Sequence, residues 1–140
     1  MPVVDASVAV DLVAPDQDPS GPVVALVRRW AAEGAELSCP RLLFEEVYNA
    51  LLTGIRRQRW DGAAADSAAV LAARLPVAVR DDERDRERAW ELARRYDDWP
   101  VYDMVYVALA ERLGEPLVTA DQRLRRRMDH LGWVLGPGEL

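Results

Sequence analysis

MPVVDASVAVDLV, Met1 to Val13, decides the architecture of this chain. The stretch is apolar, yet it carries Asp5 and Asp11 and no basic residue. A secretory leader needs a positive start and an unbroken apolar run, so this reads as a first strand, ending at Val4, followed by a helix. Asp5 stands where the strand hands over to the helix. Outward from there the same alternation continues. The polar, turn-rich segment Ala14 to Pro22 is a loop. Val23 to Glu33 reads as a helix, Ala35 to Ser38 as a short strand ending at Pro40, and Arg41 to about Gln58 as a helix. Leu43, Val47, Leu51 and Ile55 form an apolar stripe at helical spacing on that last element. An alanine-rich helix from Asp61 to Arg74 leads to a brief strand at Pro76 to Val79. Asp82 to Tyr96 is a charged amphipathic helix with Trp90, Ala93 and Ala89 expected to face inward. Pro100 opens a helix that runs to Leu113, where Gly114 stops it. Glu115 to Asp121 is the clearest later strand, Asp121 to about Asp129 a helix, and Gly132 to Leu135 a closing strand. Strands alternating with helices over short connections imply an α/β fold, one domain over residues 1–140, with a mainly parallel sheet flanked by helices.

Composition narrows the chemistry. The chain has 140 residues, is 50% hydrophobic and 30% charged, and carries a net charge of −6. No apolar run approaches the ~20 residues needed to span a bilayer, so no membrane association and a cytoplasmic location are expected. All 18 basic residues are arginine. Without lysine, a P-loop ATPase, a Schiff-base enzyme and a receiver-type phosphoacceptor domain are disfavoured. One histidine, His130, rules out a multi-histidine zinc site and restricts any serine or cysteine triad to that residue. Cys39 is the single cysteine, in an apolar setting that suits a buried structural thiol. What remains in quantity is carboxylate, whose hard oxygens suit Mg2+ and Mn2+.

Two of these acids occupy the position where α/β proteins gather function, beyond the carboxyl end of a strand. Asp5 follows Pro2-Val3-Val4, and Asp121 lies just past Pro116-Leu117-Val118-Thr119. Either could also be an ordinary helix cap. Glu46, Asn49 and Thr53 share the helix face opposite the Leu43 stripe, and spacing alone does not choose Glu46 over Glu45. Asp103 sits in VYDMVYVALA among apolar neighbours, where a carboxylate needs a partner such as a helix N-terminus, an arginine or a metal.

VVDASVAV, PRLLFEEVYNALL, VYDMVYVALAE and LVTADQRL, in this order, resemble the PIN-domain ribonucleases, in particular the VapC-type toxins of toxin–antitoxin pairs. The resemblance spans nearly the whole chain, although Asp97 to Pro100 (DDWP) fall outside its pattern. It implies four acids over the carboxyl edge of the sheet: Asp5, Glu46, Asp103 and Asp121. Glu46 is chosen because the family's glutamate precedes an apolar residue and lies three positions before asparagine, here Asn49. Ser7 and Thr119 match small hydroxyl positions that steady the carboxylates. Asp5, Asp103 and Asp121 are then expected to hold Mg2+ or Mn2+, and Glu46 to orient an attacking water. The resemblance implies endonucleolytic cutting of RNA to 5′-phosphate and 3′-hydroxyl ends. It also implies a homodimer and an antitoxin whose C-terminal segment occupies the active-site groove. Arg56, Arg57, Arg59 and Arg123 are candidate phosphate contacts, drawing RNA to an acidic centre. The surplus apolar residues Phe44, Tyr48 and Leu52 suggest a partner surface. The rival readings are an inactive PIN-like RNA- or protein-binding module and an aspartate-nucleophile phosphatase. DNA as the substrate would use the same metal chemistry.

Overall fold

Val3–Val4 (β1) is the central strand of a five-stranded sheet in a computed structural model that describes residues 1–140. The other strands are Leu37–Cys39 (β2), Val77–Val79 (β3), Leu117–Val118 (β4) and Val134–Leu135 (β5). Seven helices connect them: Ala6–Val13 (α1), Pro22–Glu33 (α2), Leu42–Arg56 (α3), Gly62–Ala72 (α4), Glu83–Arg95 (α5), Val101–Leu113 (α6) and Gln122–Arg127 (α7). Every strand pair is parallel, in the order β3-β2-β1-β4-β5. The expected alternation is therefore present throughout, with bounds shifted by up to three residues.

The strands are very short, but β1, β2 and β4 are wholly buried, as parallel strands covered on both faces must be. Val3 lies level with Ser38 on one side and with Leu117 on the other. The chain leaves β1 toward β2 and β3, then returns to the opposite side for β4 and β5. That reversal opens a crevice beyond β1 and β4. The Asp5 amide still donates to the Val118 carbonyl at 3.3 Å, so β1 and β4 deliver Asp5 and Thr119 side by side into it.

Helix α6 is buried on nearly every side, with Met104 and Tyr106 to Ala110 all inside the core. Gly114 ends it in the left-handed region at φ 66°, where only glycine is unstrained. On α5 the buried face is Asp85, Ala89, Leu92 and Ala93, spaced four, three and one residues apart. Trp90 corrects the sequence expectation. It is rotated ~100° from Ala89, off that face, and is 65% exposed. Asp85 is buried because Arg112 of α6 grips it with two hydrogen bonds of 2.7 and 2.9 Å, which fastens α5 to α6. At the far end of α3, Gly54 lies directly against the Trp60 indole, whose Nε1 donates to the Leu51 carbonyl.

Candidate active site

Asp5 is the first side chain past β1, and it does two things at once. It caps α1 by accepting from the Val8 amide at 3.2 Å, and the same oxygen accepts from the Ser7 hydroxyl at 2.5 Å. Ser7 in turn accepts from the Ala120 amide at 2.8 Å, and its hydroxyl lies 3.4 Å from that of Thr119. Thr119, fully buried, accepts from the Asp121 amide at 3.0 Å. The two hydroxyls thus tie the β1 end to the β4 end. Asp121 caps α7 through one carboxylate oxygen, accepting from the Arg123 and Leu124 amides. The cap and the site are therefore the same residues. One oxygen of each acid serves the helix, fixing where the carboxylate stands.

Glu46 reaches the crevice from α3 and Asp103 from the first turn of α6. Glu46 accepts a 2.7 Å bond from the buried Tyr106 hydroxyl through Oε1. Asp103 accepts a 2.8 Å bond from the Trp99 indole Nε1 through Oδ2. Together Asp5, Ser7, Asp11, Glu46, Asp103, Tyr106 and Asp121 line a cleft of about 380 Å³. In Glu46, Asp103 and Asp121 the second oxygen accepts no hydrogen bond from the protein.

The electrostatics of these acids set them apart. Arginine–carboxylate pairs are plentiful across the molecule, yet none of them involves Asp5, Glu46, Asp103 or Asp121. Burial raises the Asp5 carboxyl to about 6, against the lowering effect of Ser7, Thr119 and Val8, and the charge of Asp103 adds to the rise. Burial also raises Glu46, opposed by the Tyr106 bond and reinforced by Asp103. It raises Asp103 likewise, with the Trp99 bond and Arg123 opposing and Asp121 reinforcing. Acids that are costly to ionise, mutually repelling and left without arginine partners call for a cation. No three of them close to ligating distance of one another. A hard ion that retains several waters needs only a few direct carboxylate contacts, and the all-oxygen donor set fits Mg2+ or Mn2+. A larger depression of about 900 Å³ adjoins this cleft, but its Asp129 and Glu139 are both paired to Arg125.

Asn49 is exposed on α3 and does not line the cleft. Arg123 stands at the rim beside Asp103 and Trp99. Arg59 pairs with Asp16 in a neighbouring depression, Arg56 bonds to Thr53, and Arg57 extends into solvent. Asp11 and Tyr106 escaped sequence reasoning, as did the bond from Trp99 to Asp103, and the two helical residues carried a spacing clue. Asp11 is four residues after Ser7 on α1 and Tyr106 three after Asp103 on α6, each pair on one helical face, whereas Trp99 precedes α6 and reaches Asp103 from the turn before it. Other chemistries find no purchase. Cys39 is buried with its thiol pushed up to about 11 by burial, and His130 bonds to Tyr96 at the surface.

The model of the PIN domain family matches residues 3–129. Ribonuclease VapC12 of Mycobacterium tuberculosis is 34% identical over 130 residues, covering 93% of this chain and 94% of its own. The crystal structure of PAE2754 from Pyrobaculum aerophilum superposes with a TM-score of 0.70 over 97% of this chain and 88% of that one, at 25% identity. Mycobacterium tuberculosis VapC20, described as a sarcin-ricin-loop-cleaving toxin, has a TM-score of 0.67 over 96% and 97% of the two chains. At 21% identity that second likeness speaks to the fold.

Proposed function

This chain belongs to the PIN-domain family, and from that premise we propose that it is a divalent-cation-dependent endoribonuclease, the toxin of a toxin–antitoxin pair. One observation carries the reading: five carboxylates line a single cleft, Asp5, Glu46, Asp103 and Asp121 from four different elements with Asp11 beside them, and none is in an ion pair with arginine. Acids kept for stability alone would be paired, as Asp85 is with Arg112.

Asp5, Asp103 and Asp121 would hold Mg2+ or Mn2+, in part through the waters such an ion retains, and the ion would supply a Lewis acid that offsets phosphodiester charge and makes a water acidic enough to attack. The chain's own residues supply the geometry. Ser7 and the Val8 amide fix the inner oxygen of Asp5, leaving the carboxylate aimed into the cleft. The α7 amides do the same for Asp121, and Trp99 for Asp103. Glu46, held by Tyr106 and sharing the cleft with Asp5, orients the attacking water and takes its proton. Because the nucleophile is water, the RNA 2′-hydroxyl takes no part; with the 3′ oxygen as leaving group, as membership of the family implies, the products are a 5′-phosphate and a 3′-hydroxyl. Tyr48 and Leu52, exposed on α3, supply apolar area for contact with the antitoxin or a second copy of the chain.

The test is cleavage of total RNA by the purified chain with Mg2+, with Mn2+ and with EDTA, the new ends being mapped. Metal-dependent cutting that Asp5→Asn abolishes is the expected result. Full activity of the wild type in EDTA would overturn the metal-dependent mechanism, and RNA left intact with either metal would leave an inactive PIN-like module as the better reading.

A further inference from the structure

Trp99 lies outside the four acids and outside the motifs that carry the family resemblance, yet its surroundings are unusual. The two residues before it, Asp97 and Asp98, both adopt the left-handed region at φ 59° and 58°. Neither is glycine, so this turn is strained and is held by its neighbours. Asp97 is tied to Arg127 at 2.6 Å and Asp98 to Arg94 at 2.5 Å. Pro100 follows at once and opens α6. The outcome is a half-buried indole at the rim of the cleft, its Nε1 donating to Asp103. The indole nitrogen is thereby occupied and the ring orientation fixed.

Around this ring the charge reverses. Trp99, Arg123, Arg126 and Arg127 line a shallow depression of about 380 Å³, on a chain whose net charge is −6. Arg127 is paired with Asp97, but Arg123 and Arg126 make no ion pair and extend into solvent. The Arg123 guanidinium lies 5.8 Å from the Trp99 ring centroid. An oriented aromatic face beside unpaired arginines, next to a nuclease centre, has the chemistry of a nucleotide subsite.

We propose that Trp99 stacks an unpaired RNA base next to the scissile phosphate, while Arg123 and Arg126 hold the neighbouring backbone phosphates. The inference rests on the ribonuclease reading above. In the free protein the planar guanidinium of Arg123 covers the ring. A base entering takes that place, and the guanidinium, bound to no acid, turns to phosphate. The Trp99 bond to Asp103 links the subsite to the centre, so that the stacked nucleotide is registered against the acids.

The experiment measures binding of a short fluorescent single-stranded RNA of mixed sequence, with kcat and KM for its cleavage, for Trp99→Leu, Trp99→Phe and Arg123→Gln. Trp99→Leu should weaken binding by about fivefold or more, the lower end of what one stacked base contributes. Trp99→Phe keeps a stacking face but loses the indole N–H, so it should retain affinity while kcat falls. Arg123→Gln should lower affinity and flatten its salt dependence by about one phosphate contact. Placing an abasic nucleotide at the stacked position should weaken wild-type binding and leave Trp99→Leu little affected, because both changes remove one interaction. Unchanged affinity of a folded Trp99→Leu, beside a wild type that binds and cuts, overturns the subsite alone and leaves Trp99 as a prop for Asp103. Losses that add fully between Trp99→Leu and the abasic RNA overturn it too. A wild type that neither binds nor cuts RNA overturns the subsite and the ribonuclease reading together.

Discussion

Replacing Asp5 by asparagine should make the metal-free protein more stable at neutral and alkaline pH while destroying its activity. Burial raises the Asp5 carboxyl from 3.8 to about 6. The folded state therefore holds this proton more tightly than the unfolded chain does. Ionisation costs nothing below the unfolded value, grows costly between the two, and reaches its full cost above about pH 6. At ~1.4 kcal/mol per pH unit, that interval amounts to ~3 kcal/mol. Asparagine removes the charge and keeps an oxygen able to accept from Ser7 and Val8, but its amide N–H groups enter a buried position without assured partners, which costs about 1 to 2 kcal/mol. The net gain expected near pH 8 is about 1 to 2 kcal/mol, or roughly 3 to 8 °C in Tm for a chain of this length. Near pH 4 the gain should vanish or reverse. Urea and thermal unfolding in EDTA, followed by circular dichroism across that range, measure it. Mg2+ should then stabilise the wild type, by about 1.4 kcal/mol at ten times its Kd, and leave Asp5→Asn unmoved. A variant-minus-wild-type difference that stays flat with pH would refute the claim that Asp5 is held ionised at a cost in the empty site.

Removing the Tyr106 hydroxyl in Tyr106→Phe takes away the bond that lowers the Glu46 carboxyl. The acid limb of the kcat/KM profile for RNA cleavage should therefore move to higher pH, with kcat down about tenfold. A Cβ on Gly54 would fall 2.1 Å from the Trp60 ring. Gly54→Ala should destabilise by about 1 to 3 kcal/mol in urea unfolding, although alanine is the better helix former. Asp85→Ala strips the bidentate partner from Arg112, whose side chain is 25% exposed. Its cost should be about 2 to 3 kcal/mol by the same assay, below that of a fully buried pair, with RNA cleavage rate unchanged at temperatures where the protein stays folded.

The fold was legible because short apolar runs, caps and stops recur in strict alternation. Asp5, Asp61, Asp82 and Asp121 all cap helices where the polar-to-apolar pattern places a helix start. Trp90 was misjudged because bulk and apolarity suggested the core, whereas its angle on α5 puts it in water. Asp5 and Asp121 could be found from strand ends alone, since the sheet order brings β1 and β4 together. Glu46 could not, because its side chain meets the cleft only through the packing of α3 against α1, which no local spacing encodes. The same holds for Arg112–Asp85 and Gly54–Trp60, where each partner reads as an ordinary charged, small or aromatic residue until tertiary packing joins them. Trp99 is the instructive case. Its sequence neighbours Asp97 and Asp98 fall outside the family pattern, and both stand in strained backbone that sets the indole against Asp103.

The central claim, that four unpaired acids gather a cation to cut RNA, is tested most directly by a single-turnover cleavage assay. It compares the wild type with Mg2+, the wild type with EDTA, and Asp5→Asn with Mg2+. The account predicts 5′-phosphate and 3′-hydroxyl ends in the first reaction and intact RNA in the other two. Cutting by folded Asp5→Asn at the wild-type rate, or 2′,3′-cyclic phosphate ends in any reaction, would contradict it.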